Sequence, residues 1–349
     1  MNLYKPVEQN LIMNSTEQKQ QIHTDQYYIQ TIRPFIPKAA FQKKPGSLWY
    51  FLIQFSVFIS AIALTRYSNN IWIFLLASLL SGNCLPGLVF FAHDLSHGSV
   101  MAKSWQRHFL EVLIWGINFI PLTMWIHIHH RTHHPNAATF RDPDRRWLAS
   151  EKTLFKWIYT WIFYPQKSKF ILRFINPFAY IHFVFYILRN FIAVFISPKS
   201  KLYIVPYQVP YTLKEKLSII IETGIIILIQ AIIFAAVQCN WLKYLFVSIL
   251  PILIASVIEV IYVATNHFLN PIKAQNNSVQ GTTSVIVAPL FNVIHNNFSY
   301  HTEHHLFPTM HPSYYPLVSD LLKRHFPQDY NQLTITEAWR RLWNSQAFD

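Results

Sequence analysis

The chain has 349 residues, of which 52% are apolar, 16% aromatic and only 13% charged, and its net charge is +13. That balance excludes an ordinary soluble domain. The positive charge would suit nucleic acid only as a basic face on a soluble fold; here it divides with the apolar runs instead, so nucleic acid is excluded as a partner.

Residues 1–47 are polar and mixed, with Pro34, Pro37 and Pro45 near the end. They read as a partly disordered or interfacial segment, and no cleavable signal peptide stands out. Leu48–Leu64 is apolar and long enough to cross a bilayer. A break at Thr65–Asn70 leads into a second run, Ile71–Ala92, so residues 48–92 form a transmembrane hairpin that ends against His93. Residues 109–126 are apolar but interrupted by Glu111, Gly116, Asn118 and Pro121, as in an interfacial or re-entrant segment. Phe170–Ile196 is broken by Arg173, Pro177, His182, Arg189 and Asn190, which suits an interfacial helical layer. Residues 93–217 therefore read as one cytoplasmic or interfacial helical region. Ser218–Val237 and Leu242–Thr265 make a second hairpin within 218–265, and residues 266–349 form the C-terminal region.

The basic residues orient this layout. Residues 1–47 carry six Lys or Arg, 93–217 carry sixteen and 266–349 carry five, so 27 of 29 fall on one side. The positive-inside rule makes that side cytoplasmic, together with both termini. The expected fold is an all-α membrane protein: four transmembrane helices in two hairpins, with a cytoplasmic helical cap. The 28 Phe, 18 Tyr and 11 Trp suit an interfacial belt and a pocket for an acyl chain. Cys84 and Cys239 cannot build a zinc ribbon or a four-cysteine iron–sulfur site, and both are expected as buried free thiols.

Three histidine clusters lie just outside the apolar runs: His93-Asp-Leu-Ser-His97, His130-Arg-Thr-His133-His134 and His301-Thr-Glu-His304-His305. Imidazole is the commonest side-chain ligand of transition metals. Histidines at i, i+4, or at i, i+3, i+4, share one face of a helix. His267 follows the fourth run as His93 follows the second. These nine imidazoles exceed the needs of one metal ion and suit two, with four or five each. His127 and His129 crowd the middle cluster; the choice between His129 and His130 stays open, with the spacing favouring His130. Asp94, Asp142, Asp144 and Glu303 are candidates to orient imidazoles through the other ring nitrogen. Asn297 is a candidate for a metal-bound water or an outer hydrogen bond, and His295 for an outer partner. Glu259, an acid inside a span, must face the protein interior or a cavity. His23, His108, His182, His311 and His325 read as surface or packing residues.

The order HxxxH, HxxHH, single His, HxxHH resembles the integral-membrane fatty acid desaturases. Asn297-Phe-Ser-Tyr-His301-Thr-Glu-His304-His305-Leu-Phe-Pro308 is similar to that family's third histidine box, His93-Asp-Leu-Ser-His97-Gly98 to its first, and His130-Arg-Thr-His133-His134 with Asp142-Pro-Asp144 to its second. The resemblance runs from about residue 48 to about residue 325 and implies a non-haem di-iron centre (two Fe2+), with O2 as co-substrate. The implied reaction puts a C=C bond into a long-chain acyl group. The chain shows no His-Pro-Gly-Gly haem signature and no dinucleotide-binding glycine motif, so neither bound haem nor nicotinamide is expected. An external electron donor, ferredoxin or cytochrome b5, is implied. The rival readings are a carotenoid ketolase or hydroxylase, or an acyl or alkyl hydroxylase, on the same scaffold. A metal transporter is a reading of another class, but it would keep its ligands near the bilayer midplane.

Overall fold

The computed structural model describes residues 23–137, 139–143, 145, 162, 182–203, 205 and 207–344. Four helices are long and apolar enough to cross a membrane: α1 (Leu48–Tyr67), α2 (Ile71–Ser96), α3 (Leu213–Ala236) and α4 (Trp241–His267). The starts of α2, α3 and α4 are written in the sequence. The Asn70 side chain accepts from Trp72 N at the head of α2, and Asn240 does the same for Lys243 N in α4. Thr212 and Glu215 form a reciprocal capping box that starts α3 at Leu213, five residues before the expected Ser218. At the far ends, α2 runs past Ala92 to Ser96 and α4 past Thr265 to His267. His93 and His267 are therefore helical residues rather than residues beyond a helix.

The long helices pack closely. Gly82 of α2 lies so near α4 that a Cβ there would stand 2.6 Å from Ile254 Cγ2, the small-residue contact that apolar helices use. Ser78 Oγ donates across the same interface to Phe246 O (2.5 Å). Arg66 donates to Ala236 O (2.6 Å), and Lys243 Nζ to Arg66 O (2.8 Å), which ties the α1–α2 turn to the α3–α4 turn. Cys84 is buried as expected, but Cys239 is exposed, because it sits in that second turn with φ +51°.

The interrupted stretch forms α5 (Ser104–Ile117) and α6 (Leu122–Ile126), the second continuing to Asn136, with a 97° bend between them. Gln230 of α3 closes the open end of α5: its Nε2 donates to Ile117 O (3.1 Å), while its Oε1 accepts from Tyr244 OH and Ser248 Oγ. Glu222, also on α3, accepts from Thr123 N (2.8 Å) and Thr123 Oγ1 (2.6 Å) at the head of α6. Irregular backbone among apolar spans is stable only when its polar groups are met this way.

Of the expected interfacial layer, 146–161 and 163–181 lie outside the described residues; α7 (His182–Phe195) is its described part. The N-terminal segment is not separate between residues 25 and 41. Tyr28, Ile32, Ile36 and Ala40 share one buried cluster with Leu306, Met310, Tyr315 and Leu322. The all-helical expectation needs one amendment: β1 (Ser284–Ile286) and β2 (Gln332–Thr334) pair in parallel, Ser284 opposite Gln332.

Candidate metal centre

The third cluster occupies a short α-helix, α8 (His301–Leu306), whose six residues are all buried. It is held from behind. Glu303 accepts from Ser284 Oγ and Tyr330 OH, and Ser284 Oγ in turn accepts from Thr302 N (3.1 Å). Glu303 thus anchors the helix to the strand pair and orients no imidazole, contrary to expectation. Burial raises its carboxyl above the usual range, against the lowering hydrogen bonds from Ser284 and Tyr330.

The second cluster occupies a π-helical turn, His127–His133. A wider turn bonds i to i+5, so His129 rather than His130 comes round to His134, with their Nε2 atoms 3.0 Å apart. The expectation of His130 assumed α-helical spacing. His130 turns instead to Ser96 Oγ (3.0 Å). His127 leaves the cluster altogether and donates to Glu215 (2.6 Å).

Two groups of imidazoles result, each with its nitrogens within 4.8 Å of one another. One comprises His93, His97, His129, His134 and His304; the other comprises His133, His267, His301 and His305. They adjoin, His134 and His305 having ring centroids 4.5 Å apart. Four distant stretches meet here because α2 and α4 deliver His93 and His267 side by side with α8 and the π turn. Nε2 atoms face one another: His301 to His267 at 2.5 Å, His305 to His301 at 3.1 Å, and His304 to His134 at 3.3 Å. The Nε2 atoms of His93 and His97 are buried with no hydrogen-bond partner. Converging lone pairs, some left unpaired in a buried space, fit cations. The imidazoles of the third cluster are also biased toward the neutral form. Burial first, then neighbouring imidazole charges, pushes His301, His304 and His305 well below the ordinary histidine value of 6.5.

The outer ring nitrogens are oriented in part as the sequence suggests. His93 Nδ1 donates to Asp94 (3.0 Å), and His133 Nδ1 donates to both oxygens of Asp142 (3.1 Å each). Asp144 lies outside the described residues. Asn297 donates to Pro312 O (3.3 Å), and it is Asn296 that reaches the centre, donating to Asp94 Oδ2 (2.7 Å). Tyr315, which no spacing flagged, pairs with His304 Nδ1 (3.0 Å). His295 pairs with Tyr262 OH (3.0 Å) and joins neither group. His311 is buried between Ser47 and Ser313, a packing residue pushed down to about 4 by burial and Lys44. His23 packs by stacking on Tyr27, and His325 is an exposed surface residue beside Phe35.

Both groups open on one cavity. His93 and His129 line it, as do His133, His267 and His301, among Val89, Phe90, Trp115, Trp125, Val263 and Phe298. Glu259 faces this cavity, as its place within a span required, and His182, expected at the surface or in packing, lines it too. A mainly apolar cavity beside two clusters of imidazoles suits metal chemistry on an apolar ligand.

The chain is similar to known proteins. A family model described as fatty acid desaturase matches residues 69–337. An omega-3 fatty acid desaturase of the endoplasmic reticulum from Vigna radiata var. radiata is 27% identical over 131 residues, 37% of this chain and 34% of the relative. The chain thus aligns with about a third of that relative's length. An sn-1 acyl-lipid omega-3 desaturase (ferredoxin) from Synechocystis sp. is 24% identical over 294 residues, 81% of this chain and 77% of the relative. With all three histidine clusters inside the matched span, the chain belongs to the fatty acid desaturase family.

Proposed function

We propose that the protein is an O2-dependent desaturase of a long-chain fatty acyl group, with two iron ions held by the two imidazole groups and electrons from an external carrier. The observation that carries this reading is the shared cavity, walled by imidazoles of both groups and otherwise mainly by apolar and aromatic side chains. Desaturation removes two hydrogens from adjacent methylenes. O2 takes up those two electrons and two more from the carrier, and with two protons from water leaves as two waters. Iron supplies the oxidant that an unactivated C–H bond demands.

The chain supplies the rest. Nine imidazoles make the binding groups, with His129 in the place expected for His130. Asp94, Asp142 and Tyr315 fix ring orientation through the outer nitrogens. Phe90, Trp125 and Phe298 exclude water and hold the methylenes beside the centre. The 27 Lys and Arg on one side of the spans support a cytoplasmic active site and cytoplasmic termini, with the spans as two hairpins. That cationic side favours an acidic donor, either ferredoxin or cytochrome b5. The printed name of the Synechocystis sp. relative makes ferredoxin the first to try.

Expression in a host of defined lipid content, followed by mass spectrometry of its fatty acids and metal analysis of the purified protein, tests this. The expected result is a new double bond, with the omega-3 position examined first, and two irons per chain. Unchanged acyl chains beside oxygenated carotenoids would overturn it.

A further inference from the structure

Residues 274–302 contain no Asp, Glu, Lys or Arg. Within them a second short helix, α9 (Pro289–Ile294), follows β1. Its large apolar side chains point outward: Leu290 is 64% exposed, Val293 55%, Phe291 43%, and Ile286 just before it 51%. Its one polar side chain, Asn292, is turned inward to accept from Ser299 Oγ (2.6 Å). A contiguous apolar face with its polar group satisfied internally is anomalous in water and ordinary in lipid.

The position of α9 says what covers it. Gln54 of α1 donates to Ile294 O (3.0 Å), and a Cβ on Gly87 of α2 would stand 2.5 Å from that same oxygen. Gly87 precedes His93 by six helical residues, so Ile294 O meets α2 about 9 Å farther into the span than the backbone of His93. The end of α9 is thus fixed against two spans at a depth where the spans themselves meet acyl chains. On its inner side, Phe298 stacks on Phe90 at 3.8 Å, and both line the cavity.

We propose that residues 286–294 form a short wedge inserted into the leaflet on the histidine side. Its occupant is the acyl layer of the membrane, and it forms the wall between that layer and Phe298. The inference rests on the reading of α1 and α2 as spans.

Nitroxide labels test it on the full chain in phosphatidylcholine vesicles, with Cys239→Ser to remove the exposed thiol. Labels at Leu290→Cys and Val293→Cys are compared with Leu79→Cys on α2 and with Lys323→Cys on the polar side. Collision with a water-soluble nickel chelate and with lipid-partitioned O2 is read by electron paramagnetic resonance. The expected result is loss of nickel collisions at 290 and 293 to the level of the label at 79, with O2 collisions retained. Nickel collisions at 290 and 293 equal to those at 323, with 79 protected, would overturn the wedge and leave the spans standing. Exposure of 79 as well would overturn both.

Discussion

The second and third histidine clusters have the same spacing, HxxHH, and fold differently. In His301-Thr-Glu-His304-His305 the backbone is α-helical and all three imidazoles join the two groups. In His130-Arg-Thr-His133-His134 the backbone is a π turn, and His129 enters while His130 leaves. Spacing names a ligand set only once the pitch of the helix is known. The same comparison explains the supports. The α-helical cluster is braced by a buried carboxylate, Glu303, behind it, whereas the π turn is braced through one of its imidazoles by Asp142.

The sharpest way to break the comparison is a pair of variants. His129→Ala should lose iron and fall below about 1% of wild-type turnover, a larger loss than the roughly 10–100-fold associated with an orienting partner. His130→Ala should keep its iron and most of its turnover. The reverse outcome would mean that the turn is α-helical in the working enzyme. Iron per chain and product per iron decide it.

Asp142 sharpens the comparison from behind. Asp142→Ala leaves His133 Nδ1 without the carboxylate it meets in the structure, and iron affinity should fall roughly 10–100-fold. Asp142→Asn keeps an acceptor and should lose less. Competition with a chelator measures both, and equal affinity in all three proteins would remove Asp142 from the centre.

Acid probes the α-helical cluster. Burial lowers His301, His304 and His305 below 6.5, so from 6.5 downward the unfolded chain binds more protons than the folded one. Stability contributed by these groups is present above that value and lost as pH falls through it. Each pKa unit is worth about 1.4 kcal/mol. Glu303, raised by burial, acts with the opposite sign, one carboxyl against three imidazoles. The metal-free protein should melt at a constant temperature from pH 8 to 7 and progressively lower below 6.5. A melting temperature that holds or rises down to pH 5 would contradict the neutral, buried imidazoles.

Much of this was legible before any fold was known. His93, His97 and His267 announce themselves by following apolar runs, and the third cluster by α-helical spacing that the backbone obeys. Asp94 and Asp142 were readable as close neighbours of the clusters. Other features were hidden for physical reasons. Helix pitch at 127–133 is a tertiary outcome. Asn296 and Asn297 both sit at positive φ, so their side chains diverge and the nearer one in sequence to His301 faces away. Tyr315 reaches His304 only through packing. Glu222 and Gln230 did leave a signal: polar residues inside an apolar span need a reason.

That reason supplies the smallest expected effect. Gln230 joins three elements, donating to the last carbonyls of α5 and accepting from Tyr244 and Ser248 of α4. Gln230→Ala strands these groups away from water, at about 1–3 kcal/mol for a buried group left unpaired. The thermal midpoint should drop, while turnover per folded molecule stays near wild type, because Glu222 still holds the head of α6 and with it the π turn. Glu222→Ala releases that head and should lower iron retention as well. If Gln230→Ala instead abolished turnover at an unchanged midpoint, the bend between α5 and α6 would not be held by these bonds, and the placement of His129 would need another cause.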